Sequence, residues 1–209
     1  MSGNWWRVLA GAAVAMVLAA QPAAADDADA CRTASGDVAI AACTRAMNSG
    51  KLKGSELAET FLYRGTAFKG KGDLDRAVAD FSEAIRLDPE GPFAYGQRGL
   101  VYNQKKDYER AIADLTRFIV LNPGRQYLAN AYIARATAYG ANDRFDPEIA
   151  DLTEAIALRP DYALLFKARG STYELNGQRD MAIADYRAVL RIDPADQEKD
   201  ALKRLNAAP

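Results

Sequence analysis

The stretch "YRGTAFKGKGDLDRAVADFSEAIRLDP", residues 63–89, decides the fold because it returns three more times along the chain. It matches "QRGLVYNQKKDYERAIADLTRFIVLNP" at 97–123 without a gap. Two further copies occupy 134–160 and 168–194, so that the closing prolines follow one another at intervals of 34, 37 and 34 residues. Repetition at a period of this length indicates a solenoid of stacked supersecondary units.

Each copy has the pattern of two helices joined by a short polar turn. In the first copy Phe61, Gly65 and Phe68 fall at helical spacing, and Ala77 and Phe81 begin the same pattern in the second helix. The second helix ends at a Leu-Asp-Pro sequence because proline cannot continue a helix. Small residues let the two helices approach closely, and no segment alternates as a strand does. We therefore predict an all-α protein whose helix pairs stack.

The pattern resembles the tetratricopeptide repeat (TPR) family over residues 58–196. The family motif has a large residue, Gly, Tyr, Ala, an aromatic residue, Ala and Pro, and it recurs here in register. The fourth copy supplies it as Phe166, Gly170, Tyr173, Ala182, Tyr186, Val189 and Pro194. The resemblance implies a right-handed superhelical solenoid of helix–turn–helix repeats with capping elements at both ends. It also implies a scaffold that binds peptides or partner proteins in a concave groove lined by the first helices.

The N-terminal residues have the three-part layout of a secretory signal peptide. Arg7 precedes an apolar run at 8–20, and the small residues Ala23 and Ala25 follow. The run is shorter than the roughly 20 apolar residues that a membrane-spanning helix needs. We expect cleavage after Ala25, which would give an exported, soluble and periplasmic chain. An uncleaved N-terminal anchor is the alternative.

The repeat register predicts how the rest of the chain divides. A signal peptide at 1–25 precedes a shortened helical cap or half repeat at 26–57, four repeats at 58–91, 92–125, 129–162 and 163–196, and a capping helix at 197–209. The end units of a solenoid lack a neighbour on one side, and caps keep those faces from water.

Both cysteines of the chain lie in the predicted N-terminal cap. Cys43 aligns with Phe81, a core position that faces the preceding helix, and Cys31 lies on that preceding helix. In an oxidising compartment such a pair is most simply a disulfide. A metal site is disfavoured by the absence of histidine, and a redox pair has no closely spaced Cys-x-x-Cys to support it. We expect a disulfide that joins the two helices of the cap.

An arginine and an aspartate recur in every repeat. They are Arg64 with Asp80, Arg98 with Asp114, Arg135 with Asp151, and Arg169 with Asp185. Both depart from the commonest TPR consensus, and each flanks the core face of its helix. We interpret them as structural ion pairs between helices, within a unit or between neighbours. The alternative is a basic stripe that holds an acidic ligand.

The family geometry predicts which side chains line the groove. They are Leu62, Thr66, Lys69, Phe93, Leu100, Asn103, Gln104, Ile133, Thr137, Leu164, Lys167, Ser171 and Glu174. Leu62 and Thr66 stand where the carboxylate clamp of some TPR proteins has Lys and Asn, so an acidic chaperone tail is disfavoured. The mixed apolar and polar set favours an extended or helical peptide.

The third repeat and the junction before it are irregular. Three extra residues lie at 126–128, and the bulky Phe118 stands where the first repeat has Ala84. Drift in a tolerant repeat is the simpler explanation of these features. The alternative is a widened or flexed junction that shapes a binding site, marked by Phe118 and Tyr127. In the third repeat Asp146 and Pro147 predict an N-cap and a first helical residue, hence a late helix start.

Composition excludes several classes of function. The chain has 27 Lys and Arg against 28 Asp and Glu, without the basic excess that nucleic-acid binding calls for. It has no histidine and no glycine-rich phosphate loop, so we expect no catalysis, cofactor or metal. The prediction is a non-catalytic scaffold in the cell envelope for a protein or peptide partner, with no stable membrane insertion after cleavage. The alternatives are a glycan- or cell-wall-associated regulator and a self-assembling structural protein.

Overall fold

The computed structural model describes residues 24–195 and 198–205. Of the predicted signal peptide, residues 1–23 lie outside this part, as do 206–209 of the predicted C-terminal helix. The described residues form eleven helices and no strand: α1 (Ala24–Thr33), α2 (Gly36–Asn48), α3 (Gly54–Gly70), α4 (Leu74–Leu87), α5 (Pro92–Gln104), α6 (Tyr108–Val120), α7 (Arg125–Gly140), α8 (Phe145–Leu158), α9 (Ala163–Leu175), α10 (Arg179–Ile192) and α11 (Glu198–Arg204).

The helices pack as antiparallel pairs that stack in chain order. The pairs α3–α4, α5–α6, α7–α8 and α9–α10 correspond to the four sequence copies, and each second helix also contacts the next first helix. Every such pair buries an apolar face that it cannot cover alone, so the neighbours complete the core. The all-α solenoid predicted from the repeat is confirmed.

Local sequence explains where the second helices begin and end. Asp73 precedes α4, and its carboxylate accepts a hydrogen bond from the backbone N–H of Arg76. Asp107 caps α6 in the same way through Arg110. Aspartate at this position satisfies one of the amides that the first turn leaves unpaired. The helix α4 ends at Leu87, two residues before Pro89.

A glycine in the first helix sets the close approach within a pair. The ring of Phe81 is fully buried against Gly65, and a Cβ atom added at Gly65 would lie 2.7 Å from the ring carbon Cε1. Gly170 meets Tyr186 in the same way in the last repeat, at 2.8 Å. The glycine of the motif therefore makes room for the aromatic residue of the second helix.

Both ends of the solenoid are closed. At the N-terminal end the Sγ atoms of Cys31 and Cys43 lie 2.07 Å apart and join α1 to α2. At the C-terminal end α11 packs on α10, where it buries Ala201 and Leu202 against Tyr186.

The late helix start predicted for the third repeat is wrong. The helix α8 begins at Phe145 with Arg144 at the N-cap, not at Pro147. Pro147 lies in the first turn, where the backbone N–H has no partner within the helix and its loss costs nothing. A proline there does not need to be the first helical residue.

The widened junction between the second and third repeats is also not what the structure shows. Phe118 is buried against Gly96 of its own repeat, where an added Cβ atom would lie 2.7 Å from the ring. The bulk of Phe118 is thus absorbed inside the repeat and does not displace α7. The three extra residues belong to α7, which is three residues longer than α5 at 16 against 13.

None of the helices within 24–195 and 198–205 is long and apolar enough to cross a membrane.

Candidate functional site: the first-helix face

In each of the four repeats one ion pair fixes the first helix to the second. In the second repeat Nε of Arg98 donates to Oδ2 of Asp114 at 2.7 Å and Nη2 donates to Oδ1 at 2.9 Å. The same bidentate geometry joins Arg64 to Asp80, Arg135 to Asp151, and Arg169 to Asp185. All four aspartates are buried. Paired N–H···O bonds of this kind restrict orientation as well as adding energy.

The remaining Nη1 of each arginine reaches the preceding repeat. Arg98 donates to the Ser82 hydroxyl at 2.9 Å, and Arg135 donates to the Thr116 hydroxyl at the same distance. Arg64 and Arg169 reach Thr44 and Thr153 in the same manner. One guanidinium therefore ties three helices together. Its nitrogens already have protein acceptors, so these arginines do not form a free basic stripe.

The bond between Arg135 and Thr116 also bears on the irregular junction. It crosses from the second repeat to the third at 2.9 Å, as the equivalent bonds cross the junctions on either side. The extra residues of α7 therefore leave the packing of the junction intact. They add an N-terminal turn to α7 that carries Tyr127.

We define the first-helix face as the exposed side of α3, α5, α7 and α9. None of the thirteen predicted groove residues is buried: each is exposed or half-buried on one of these four helices. Sequence reasoning missed Gln97 and Asn130, which also line cavities on this face.

Three cavities lie between successive first helices. The cavity between α3 and α5 has a volume of 310 Å³ and is lined by Leu62, Glu59 and Phe93 among others. The cavity between α5 and α7 has 180 Å³, and the one between α7 and α9 has 370 Å³. The face is thus a row of shallow cavities, one for each junction between full repeats.

An aromatic cluster forms the central cavity. The ring centroid of Phe93 lies 5.2 Å from that of Tyr127 and 6.2 Å from that of Phe118, and both pairs are edge to face. Phe118 is buried and supports the other two rings, which are about two-fifths exposed. Leu100 completes the apolar wall. The cluster depends on the extra turn of α7, because that turn carries Tyr127.

Polar side chains on the face are held by neighbouring helices. Lys69 of α3 donates to the Gln97 side chain of α5, and partial burial lowers the pKa of Lys69. Asn103 donates to the backbone carbonyl of Ala134 at 2.8 Å, while its Oδ1 is buried without a hydrogen-bond partner. These side chains bridge adjacent first helices and fix the spacing of the face.

Two predicted groove residues contact the C-terminal cap. Lys167 lies 2.6 Å from the buried carboxylate of Glu198, and Arg204 donates to Glu174 at 3.0 Å. Burial opposes ionisation of Glu174, but hydrogen bonds from Arg204 and Tyr186 outweigh it and lower the pKa. At this end of the face, two polar side chains that the sequence predicts to contact a ligand therefore contact α11.

Glu148 is the unusual titratable group of the face. It occupies the packing position that is a fully buried alanine in the other repeats, at Ala77, Ala111 and Ala182. Burial raises the pKa of Glu148, and the nearby Thr172 hydroxyl of the next repeat opposes this rise. The carboxylate is one wall of the cavity between α7 and α9.

The described part of the chain contains no group of three or more His, Cys, Asp or Glu side chains that could hold a metal ion.

The comparisons with known proteins agree with the repeat architecture. The family described as tetratricopeptide repeat matches residues 58–90, 94–125 and 168–196. The third repeat, which carries Ala136, Pro147 and Glu148 at motif or first-turn positions, is outside these matches. No curated protein gives a significant match.

Solved structures share the fold at low identity. MamA residues 41–end from Desulfovibrio magneticus RS-1 is 20% identical, with a TM-score of 0.70 over 83% of this chain and 95% of that one. YrrB, described as a TPR protein with an unusual peptide-binding site, is 21% identical, with a TM-score of 0.64 over 74% and 76%. A chain of the APC/C hetero-tetramer Cut9–Hcn1 is 22% identical, with a TM-score of 0.61. The match covers 81% of this chain but only 32% of that one.

Proposed function

Since the chain belongs to the tetratricopeptide repeat family, we propose that it is a non-catalytic scaffold that binds a protein or peptide partner through its first-helix face. The fold itself supports protein–protein interaction. The finer claims, that the partner lies along the concave side and that binding occurs in the cell envelope after export, are part of this proposal.

The observation that carries the proposal is the exposed apolar surface along this face. Phe93, Leu100, Tyr127 and Leu164 are between 37% and 56% exposed, and they lie on three consecutive first helices. Phe93, Leu100 and Tyr127 line one cavity, and an exposed apolar patch of this kind marks an interaction site. Cavities between the helices provide pockets for side chains, and the helices that form them are fixed by the arginine bonds.

Two features support export to an oxidising compartment. The N-terminal sequence up to Ala25 has the layout of a signal peptide, and the Cys31–Cys43 pair is within bonding distance. Replacing Val17 by Arg interrupts the apolar run and should hold the chain in the cytoplasm at its unprocessed mass. Fractionation that finds the wild-type chain cytoplasmic and unprocessed would remove this part of the proposal.

The binding surface can be tested with matched charge substitutions. Leu100→Glu places a carboxylate in the central cavity, and Ala113→Glu places one on the exposed side of α6. Both positions are exposed on helices, so both variants should fold, which circular dichroism checks. After crosslinking in the native host, partners should be recovered with the wild type and Ala113→Glu but not with Leu100→Glu. Equal recovery with Leu100→Glu would locate binding elsewhere.

A further inference from the structure

The cavity between α7 and α9 combines apolar walls with one carboxylate. Its 370 Å³ are bounded by Ile133, Leu152 and Leu165, and Glu148 lies at one end. The cavity between α3 and α5 is also lined by two carboxylates, Glu59 and Asp88, but the packing position equivalent to Glu148 is a fully buried alanine in the other repeats. The third repeat therefore places an acidic side chain at a position that packs the second helix against the first in the other repeats.

The surroundings of Glu148 are shaped to admit the carboxylate. Gly140, the last residue of α7, lies beside it, and a Cβ atom added there would be 2.7 Å from Oε1 of Glu148. At the equivalent position the other repeats carry Lys69, Asn103 and Glu174. The space that a side chain occupies in those repeats is thus given to the carboxylate here.

No basic side chain of the described residues forms an ion pair with Glu148. The nearby Thr172 hydroxyl donates its proton to the Ala168 carbonyl at 3.0 Å. Glu148 lies in the first turn of α8, whose positive dipole end favours its charge, whereas the C-terminal end of α7 beside it presents a negative dipole end. A cation placed between the carboxylate and the end of α7 would interact favourably with both.

The opposite end of the cavity has the opposite charge. Arg159 lines it eleven residues further along the chain, at the end of α8. At 1.5 Å per residue this separation is about 16 Å. Arg159 would repel a basic side chain, so the cavity offers a cation one favourable position, beside Glu148.

We propose that this cavity binds a lysine or arginine side chain of the partner peptide, whose ammonium or guanidinium group contacts the Glu148 carboxylate. The inference rests on the proposed function, since it specifies what the peptide carries. The aliphatic part of a basic side chain packs against the apolar walls while its charged end reaches Glu148. Glu148 would act as the specificity residue.

The neighbouring cavity completes the description of the ligand. The aromatic cluster of Phe93, Phe118 and Tyr127 accepts an apolar side chain, and it lies one first helix away. Packed helices are separated by about 10 Å. An extended peptide advances about 3.3 Å per residue. The ligand should therefore carry an apolar residue and a basic residue about three positions apart.

Selection from a random peptide library displayed on phage tests the inference. The full chain is used as wild type, as Glu148→Gln, which keeps the shape of the side chain and removes its charge, and as Leu100→Glu. Glu154→Gln is the matched control, because Glu154 is an exposed glutamate on the same helix. Peptides selected on the wild type and on Glu154→Gln should be enriched in a basic residue near an apolar one. Those selected on Glu148→Gln should keep only the apolar residue.

A binding cycle then tests direct contact. The best selected peptide, labelled with a fluorophore, is compared with its Lys→Met or Arg→Met analogue by fluorescence anisotropy. On the wild type the analogue should bind about tenfold to a hundredfold more weakly, the range for a hydrogen bond to a charged group. On Glu148→Gln the two peptides should bind equally.

The outcomes separate the two claims. If peptides bind the wild type, lose binding on Leu100→Glu and show no basic preference that Glu148→Gln removes, the basic site is wrong and the proposed function stands. If no peptide binds the wild type, or Leu100→Glu binds as well as the wild type, the proposed function fails and the inference fails with it.

Discussion

The substitution Asp114→Asn should destabilise the solenoid far more than a comparable change at its surface. The Asp114 side chain is 9% exposed and that of Arg98 is 19% exposed, and the two form a bidentate pair. Removing one partner of a buried pair leaves the other charge unpaired, at a cost of about 3–5 kcal/mol. Arg98 keeps its bond to Ser82 and some contact with water, so we expect the lower end, about 3 kcal/mol.

The matched control is Glu83→Gln. Glu83 accepts a hydrogen bond from Arg86 at 2.9 Å, but the two side chains are 46% and 65% exposed. A surface pair of this kind contributes less than about 1 kcal/mol. Ser82→Ala, which removes only the bond across the junction, should cost about 1 kcal/mol.

Urea unfolding followed by circular dichroism measures the three free-energy differences, and hydrogen exchange of α5 and α6 checks that the loss is local. If Asp114→Asn costs no more than Glu83→Gln, the ion pairs do not fix the first helices and the structural interpretation is refuted.

Three further substitutions test other parts of the structure. Gly65→Ala should cost about 1–3 kcal/mol because its Cβ atom would overlap the Phe81 ring, whereas Gly70→Ala, with nothing within 4 Å, should be neutral or stabilising by up to about 1 kcal/mol in thermal or urea unfolding. Cys31→Ser should reduce the stability of α1 and α2 by about 3 kcal/mol, the chain-entropy estimate for a sequence separation of 12. Hydrogen exchange of these two helices measures the loss, and the wild type reduced with dithiothreitol should lose the same amount. The pKa of Glu148 is raised above 4.5, so the folded state binds this proton more tightly than the unfolded state. Wild-type stability should therefore fall relative to that of Glu148→Gln as pH rises from about 4.5 to about 7. Melting temperatures of the two proteins that differ by a constant amount over this range would contradict the prediction.

The fold could be predicted because its information is periodic. The register of Gly65 and its equivalents, of the alanines and of the closing prolines predicts helix pairs, their order and their stacking, and the TPR family assignment is confirmed by the matches. The hydroxyl acceptors of the arginine bonds were visible in the same register, since Ser82, Thr116 and Thr153 each follow an aspartate by two residues. They were missed because two different residue types share the position.

The departures from regularity were harder to predict. Phe118 was expected to widen a junction, yet Gly96 on the facing helix absorbs its ring. Gly140 makes the same kind of room for Glu148. In both cases a residue enlarged on one helix is compensated by a glycine on another. One sequence read along a single helix does not reveal such an exchange, because it depends on which side chains meet in space.

The central claim is that the partner binds along the first-helix face. Incorporating photoreactive benzoylphenylalanine at Leu100, and separately at Ala113 on the exposed side of α6, tests it most directly. Illumination in the native host should give a covalent adduct with a discrete partner from position 100 and none from position 113. An adduct from position 113 alone would show that the partner binds the opposite side and would contradict the account.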